Sequence, residues 1–299
     1  MPIVRLKKTI GSCVVLTALL LATSAGAAGQ DQAPRWFVGE PVAPLIADPT
    51  EVMLRAGAHW ISRDLTGLEG ADPEGTAAFE RGEREGEVAL GYRTALVSFQ
   101  REAPGRPALA VGFEVGIFAR FLLDTRAADL LNTDFRVGFP VQLAYSGWEA
   151  RFTLTHSSYH LGDDLARRFD IELVSPEVNA NRVHLLVARR PVDEVRVYAG
   201  GVLDLGSNDA LEKWSVQWGA EWDRSVRADH RGTAPLIAAD FRYDELTGRI
   251  AGNAIIGATF HVSETRIQLG AHGHFGPSAA GRLRTIDEEF IGFWVRFIP

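Results

Sequence analysis

The sequence predicts an all-β protein, an antiparallel up-and-down transmembrane β-barrel of about twelve strands. Three observations predict it. Apolar residues recur with period two along almost the whole chain, and the alternating runs are about ten residues long, as a membrane-crossing strand requires. The chain also opens with an export signal.

The signal is a basic start (Arg5, Lys7, Lys8), an apolar run from about Val14 to Leu21 and small residues from Ala25 to Ala28. Residues 1–28 are therefore read as a cleaved signal peptide, and residues 29–299 as one barrel domain exported to the bacterial outer membrane. Cys13, the only cysteine, lies before the apolar run, so it leaves with the signal and the mature chain has no disulfide partner. The roughly 270 residues left are enough for one large domain. No later run reaches the roughly 18 consecutive apolar residues of a membrane-spanning helix. A net charge of -7 argues against nucleic acid as a partner.

Each element follows from its alternation. "WFVGEPVAPLIADP" has none and reads as a periplasmic lead-in. "MLRAGAHW" is the first strand, followed by a long polar loop from Thr66 to Glu87. "EVALGYRTALVSF" and "ALAVGFEVGIFARFLL" flank the turn-like "REAPGRP". "DFRVGFPVQLAY" puts Phe135, Val137, Phe139, Val141, Leu143 and Tyr145 on one face, opposite Asp134, Arg136 and Gln142. "WEARFTLTHSSY", "RVHLLVAR" and "EVRVYAGGVLDL" continue the pattern. "KWSVQWGAEWD" sets Trp214, Trp218 and Trp222 on one face, which is hard to bury in a small core. "LIAADFRYD", "RIAGNAIIGATFHV", "ETRIQLGAHGHF" and "FIGFWVRFI" complete the set. In the penultimate run His272 and His274 share the polar face and are read as lumen residues.

A soluble periplasmic β-sandwich or lipocalin-like barrel alternates too. Two features favour the membrane barrel. The polar faces mix arginine and acid with glycine, as a lumen does, and the apolar faces are rich in Trp, Phe and Tyr, as a lipid-facing girdle is. Arg55, His59, Glu114, Arg120, Arg136 and Arg151 are expected to pair with one another inside a narrow lumen, because isolated charges there are expensive. A barrel filled that way is plugged and not a wide pore.

The most specific stretch is "THSSYHLGDD", Thr155 to Asp164. Trp148, Ala150, Phe152 and Leu154 share one parity, and the same parity runs on into His156, Ser158 and His160. If the apolar side meets lipid, this polar trio lies on the outer wall at the strand's end. Residues two apart on a strand sit about 6.5–7 Å apart at the backbone, so a histidine can lean to take a neighbouring serine's proton. Ser158 is then the nucleophile and His156 the base, with Asp170, Asn179 and Asn181 open as the orienting third group. Backbone amides near Gly162 are one source of an oxyanion hole. Asp163 and Asp164 holding calcium are another, since calcium favours clustered oxygens. His160 with Asp163 and Asp164 is also a candidate metal set. His156 and His160 lie roughly 13 Å apart on a straight strand, so joint ligation by both needs a turn after Ser158. "GDD" also suits an Asp-capped turn.

These residues carry a resemblance. "DLLNTDFRVGFPVQLAYSGWEARFTLTHSSYHLGDD" resembles a family of exported bacterial proteins known only as a domain of unknown function, with the motif His-x-Ser-Ser-His-Leu-Gly-Asp-Glu. His156, Ser158, His160, Leu161, Gly162 and Asp163 match it, while Tyr159 and Asp164 stand where the family usually has serine and glutamate. The layout extends from about Phe37 to the end, and the resemblance implies membership without an activity. A more distant similarity, covering His156 and Ser158 only, is to outer-membrane phospholipase A. It implies a twelve-stranded barrel with a His-x-Ser pair on its outer wall, an asparagine on the next strand to orient the histidine, and calcium to support the oxyanion.

Two readings of function follow. One is a lipid-surface acyl hydrolase; the other is a non-catalytic barrel serving transport, adhesion or envelope integrity. The partner expected is membrane lipid, with a homodimer left open and calcium the one cofactor considered.

Overall fold

The alternating runs form strands that pair in chain order. The computed structural model describes residues 34–38, 40–63, 83–100, 107–168, 177–206, 211–226, 232–262 and 265–298. The signal peptide and Asp170 lie outside the described residues. The strands are β1 (Arg35–Val38), β2 (Leu54–Arg63), β3 (Glu83–Gln100), β4 (Ala108–Leu122), β5 (Asp129–Tyr145), β6 (Trp148–Leu161), β7 (Glu177–Val192), β8 (Val195–Asp204), β9 (Trp214–Asp223), β10 (Thr233–Asp244), β11 (Arg249–Val262), β12 (Thr265–Pro277) and β13 (Asp287–Ile298). From β2 onward every strand pairs antiparallel with the next, and β13 pairs with β2. This is the closed twelve-strand barrel expected, in which each strand has a partner on both edges and no edge is left open. The loop expected from Thr66 to Glu87 is shorter than read, because Glu83–Glu87 already belong to β3. Glu85 and Glu87 there pair with lumen arginines, which draws these charged residues into the sheet.

The face assignment holds. Trp214, Trp218 and Trp222 are 44%, 37% and 36% exposed, and Phe135, Phe139, Leu143 and Tyr145 also face outward. His272 and His274 are buried in the lumen, where both bond Asn253 Oδ1 at 3.2 and 2.9 Å. The lumen charges are paired, but with residues outside the expected set and not with one another, because the plug and the neighbouring strands bring other partners closer. Arg55 meets Glu87 at 2.7 Å, Arg120 bridges Glu85 and Glu288 at 2.7 and 2.9 Å, and Arg151 holds Glu51 at 2.6 Å. Glu114 lies 3.8 Å from Arg93, His59 lies 3.8 Å from Glu85, and Arg136 donates to Thr50 O at 2.7 Å.

The lead-in reading is corrected. β1 pairs with β3 at Ser98, Val97 and Ala95, and β2 rejoins the same edge of β3 at Ala89. Between them the chain enters the barrel and fills it, burying Val42, Leu45, Ile46, Ala47, Val52 and Met53. Pro41, Pro44 and Pro49 keep this segment out of regular structure, so its backbone needs side-chain partners. The wall supplies them. Arg196 donates to Ala43 O and Pro44 O, both at 2.8 Å, Arg296 to Leu45 O at 2.8 Å, and Arg55 to Pro49 O at 2.8 Å. Gln142 and Glu221 accept from the Val42 and Ile46 amides. Gly91 lacks a Cβ where the Met53 backbone crosses it on leaving the lumen. A cavity of about 100 Å³ is left between the plug and the opposite end, lined among others by Arg136, Ser157, Tyr159 and Asp240.

That end is capped. Leu165 of α1 (Asp163–Arg168) packs with Leu122, Leu131, Leu161, Ala280, Leu283 and Ile286. Glu212, in the β8–β9 connection, fastens the cap by meeting Arg182, Arg242 and Arg284 at 2.8, 3.3 and 2.5 Å. Burial alone would raise its pKa, but the Arg284, Arg182 and Arg242 guanidiniums outweigh burial and hold it at about 2, down from 4.5. A depressed carboxylate stabilises the fold above its unfolded pKa and loses that contribution as pH falls through its folded pKa. The contribution, roughly 3 kcal/mol, is expected to be present at pH 6 and to fade from about pH 4.5 toward 2. The thermal midpoint of the detergent-folded barrel should drop across that window, and should drop less in Glu212→Gln. Equal acid sensitivity of the two proteins would refute the assignment.

Candidate functional site

The strand β6 separates the motif into two faces. Thr155, Ser157, Tyr159 and Leu161 are buried toward the lumen, whereas His156 is exposed and Ser158 and His160 are half-buried on the outer wall. Tyr159 explains its own position. Its ring occupies the space a Cβ on Gly281 would need, sits under the Arg284 guanidinium at 4.5 Å, and packs with Val178, Ala180 and Leu211. The lumen face thus anchors the strand, and the outer face is left for chemistry.

β6 is held between β5 and β7 in a register that sets its outer neighbours. Ser158 stands opposite Phe135 on one side and Asn179 on the other; His156 stands opposite Val137 and Asn181. Of the three residues left open as the orienting group, Asn181 makes the contact, with its Oδ1 2.9 Å from His156 Nδ1. Asn179 faces the serine and not the histidine, and Asp170 lies outside the described residues. The serine's partner also differs from expectation, because Ser158 Oγ bonds His160 Nε2 at 2.8 Å. The ring of His160 also meets the edge of Phe135 at 5.5 Å between centroids. That role for His160 went unread in the sequence, although its parity, two residues past Ser158, was the available signal.

The oxyanion and metal candidates fare differently. Gly162 N–H donates to Leu131 O at 2.9 Å, and a Cβ at Gly162 would meet Leu130 O, so this amide is committed to the chain reversal after β6. Asp163 and Asp164 open α1, where carboxylates favour the helix start. Asp164 accepts from the Leu130 amide at 3.2 Å, and both carboxylates reach Arg167, at 3.8 and 3.3 Å. Among the described residues no group of three or more His, Cys, Asp or Glu is placed to hold a metal ion. Asp163, Asp164 and His160 therefore do not come together as a ligand set, since the aspartates turn into the helix while His160 stays with Ser158.

The outer wall thus presents two linked pairs, His156–Asn181 and Ser158–His160. All four side chains project from one face of two adjacent strands, close to the end of the barrel opposite Leu54 and Phe297.

Comparison with known proteins agrees with this architecture. A family model described as "Protein of unknown function (DUF1207)" matches residues 22–297. No curated protein sequence matches the chain. Among solved structures, outer membrane phospholipase A from Escherichia coli is similar with a TM-score of 0.50 and 12% identity, over 83% of this chain and 94% of that one. The Salmonella typhi outer membrane phospholipase dimer with bound calcium is similar with a TM-score of 0.51 and 12% identity, over 84% of this chain and 94% of that one. At such identity the likeness is one of fold.

Proposed function

Because the chain belongs to the family of proteins of unknown function DUF1207, whose name carries no activity, we propose from the site itself that it is an outer-membrane serine acyl hydrolase acting on ester-linked lipid. The observation that carries this reading is the outer-wall row of Ser158 between two histidines, one of them oriented by Asn181. Similarity of fold to two outer-membrane phospholipases supports the substrate class.

The roles follow from the contacts. With its proton on Nδ1, His156 donates to Asn181 Oδ1 and leaves the Nε2 lone pair as the base. Ser158 rests against His160; one step between staggered χ1 wells re-aims its Oγ along the strand toward His156. Oγ attacks the ester carbonyl carbon as its proton passes to His156, and the lipid alcohol departs with that proton. Water then attacks the acyl-serine, giving its proton to the same base, and fatty acid leaves as the serine is restored.

The two-residue turns 146–147 and 193–194 lie at the end shared with Leu54, and every connection at the site's end is longer than these. Short turns face the periplasm in barrels of this kind, so the site meets the outer leaflet. A lumen filled by residues 40–53 and paired charges disfavours transport.

Purified protein in detergent is given diacyl phospholipid, with calcium or with EDTA, as monomer and as cross-linked dimer, and treated in parallel with a fluorophosphonate probe. Fatty-acid release with the probe attached to Ser158 is the expected result. No release and no adduct under any of these conditions would sink the hydrolase.

A further inference from the structure

A serine attack on an ester places negative charge on the carbonyl oxygen, and serine hydrolases usually meet that charge with backbone N–H groups. That source is closed here. Every residue from Trp148 to His160 pairs with β5 on one side and with β7 on the other, so the amides around Ser158 are used by the sheet. The first amide beyond the strand, that of Gly162, is taken by Leu131 O. Among the described residues the donor is then sought on a side chain of the outer face.

Among the described residues the register sets one carboxamide directly across from Ser158. The immediate outer neighbours of Ser158 are Phe135, Asn179, His156 and His160. Phe135 has no donor and His156 is engaged by Asn181; His160, which holds the hydroxyl at rest, lies two residues along Ser158's own strand and not across from it. Asn179 is directly opposite Ser158 and exposed on the outer wall, and its carboxamide carries two N–H donors. Directly opposed residues have Cβ atoms about 4.5–5.5 Å apart, which brings the end of an asparagine within reach of an oxygen on the carbon bound to Ser158 Oγ.

We propose that Asn179 is the oxyanion donor of this site and so a further catalytic residue. The inference rests on the acyl-hydrolase reading and adds a mechanism to it. As the Oγ–C bond forms, the carbonyl π pair moves onto oxygen and the serine proton moves to His156; Asn179 Nδ2–H donates to the oxyanion. Collapse re-forms the carbonyl and breaks the bond to the alcohol oxygen, which takes the proton from His156. A carboxamide donor works without a metal, so hydrolysis proceeds in EDTA.

The test compares wild type, Asn179→Ala and Asn179→Asp in detergent, measuring kcat and KM for phospholipid in EDTA and with added calcium. Asn179→Asp keeps the shape and removes the donor, and retention of heat-modifiable migration verifies the folded barrel. Both variants should lose about 10²–10³-fold in kcat with KM nearly unchanged, as removal of one oxyanion donor does elsewhere. Wild-type kcat should be the same in EDTA and in calcium. Wild-type kcat in Asn179→Ala overturns the assignment, as does hydrolysis that vanishes in EDTA and returns with calcium; with Ser158 still labelled by the probe, either result leaves the hydrolase reading intact. Wild type that neither cleaves lipid nor takes the probe removes both.

Discussion

Ser158→Ala lowers phospholipid hydrolysis by about 10⁴–10⁶-fold, to the background of the detergent blank. The loss is this large because the nucleophile itself is removed, and neither histidine can substitute for it from its own position on the strand. His156→Ala produces a comparable loss, and the double variant is no worse than either single one, since nucleophile and base act as a unit. Asn181→Ala costs less, because the imidazole is still present and only its orientation and tautomer are released. His160→Ala costs least if His160 only parks the hydroxyl. The series therefore separates the two histidines. Full loss in His160→Ala with activity kept in His156→Ala would move the base to His160, and hydrolysis that survives Ser158→Ala would end the serine mechanism.

Arg196→Ala destabilises the barrel by about 3–5 kcal/mol, the usual cost of leaving buried partners without their counter-charge. Arg196 is only 1% exposed. It pairs with Glu221 at 2.5 Å and Glu149 at 3.4 Å, and it donates to the Ala43 and Pro44 carbonyls. Truncation takes the arginine from Glu221, which keeps only the Ile46 amide, removes one of the two arginines of Glu149, and strips this donor from two plug carbonyls in one step. Urea unfolding followed by tryptophan fluorescence should show a clearly lower midpoint, while Arg189→Ala, whose guanidinium lies over Trp148 at the exposed rim, leaves it almost unchanged. Planar-bilayer conductance provides a second readout, because a plug that has lost its latch opens the lumen. An unchanged midpoint together with an unchanged silent bilayer would mean that residues 40–53 are held in place by other contacts.

Much of this was legible in single strands. The parity of "WEARFTLTHSSYH" was enough to put His156, Ser158 and His160 on the outer wall with the apolar face, because a strand's side chains alternate whatever surrounds it. The three tryptophans of β9 were legible for the same reason. The plug was not. "EPVAPLIADP" carries no period, and it lies in the lumen because Arg196 on β8, Arg296 on β13 and Gln142 on β5 meet its backbone there, more than ninety residues away in sequence. The extent of β3 was misread because Glu85 and Glu87 look like loop residues until Arg120 and Arg55 are placed against them.

The sequence by itself determined a twelve-strand alternating chain, the face each strand turns outward, and the wall on which the serine stands. Local alternation suffices for these, because it is a property of one strand. Tertiary structure alone decided which asparagine serves which residue. The pairing of β6 with β7 sets Asn181 beside His156 and Asn179 beside Ser158. A slip of two residues would preserve every lipid-facing side chain and exchange those partners. Register across a connection such as 162–176 is set by closure of the whole barrel and by the lumen lattice behind it, and no pattern within either strand encodes it.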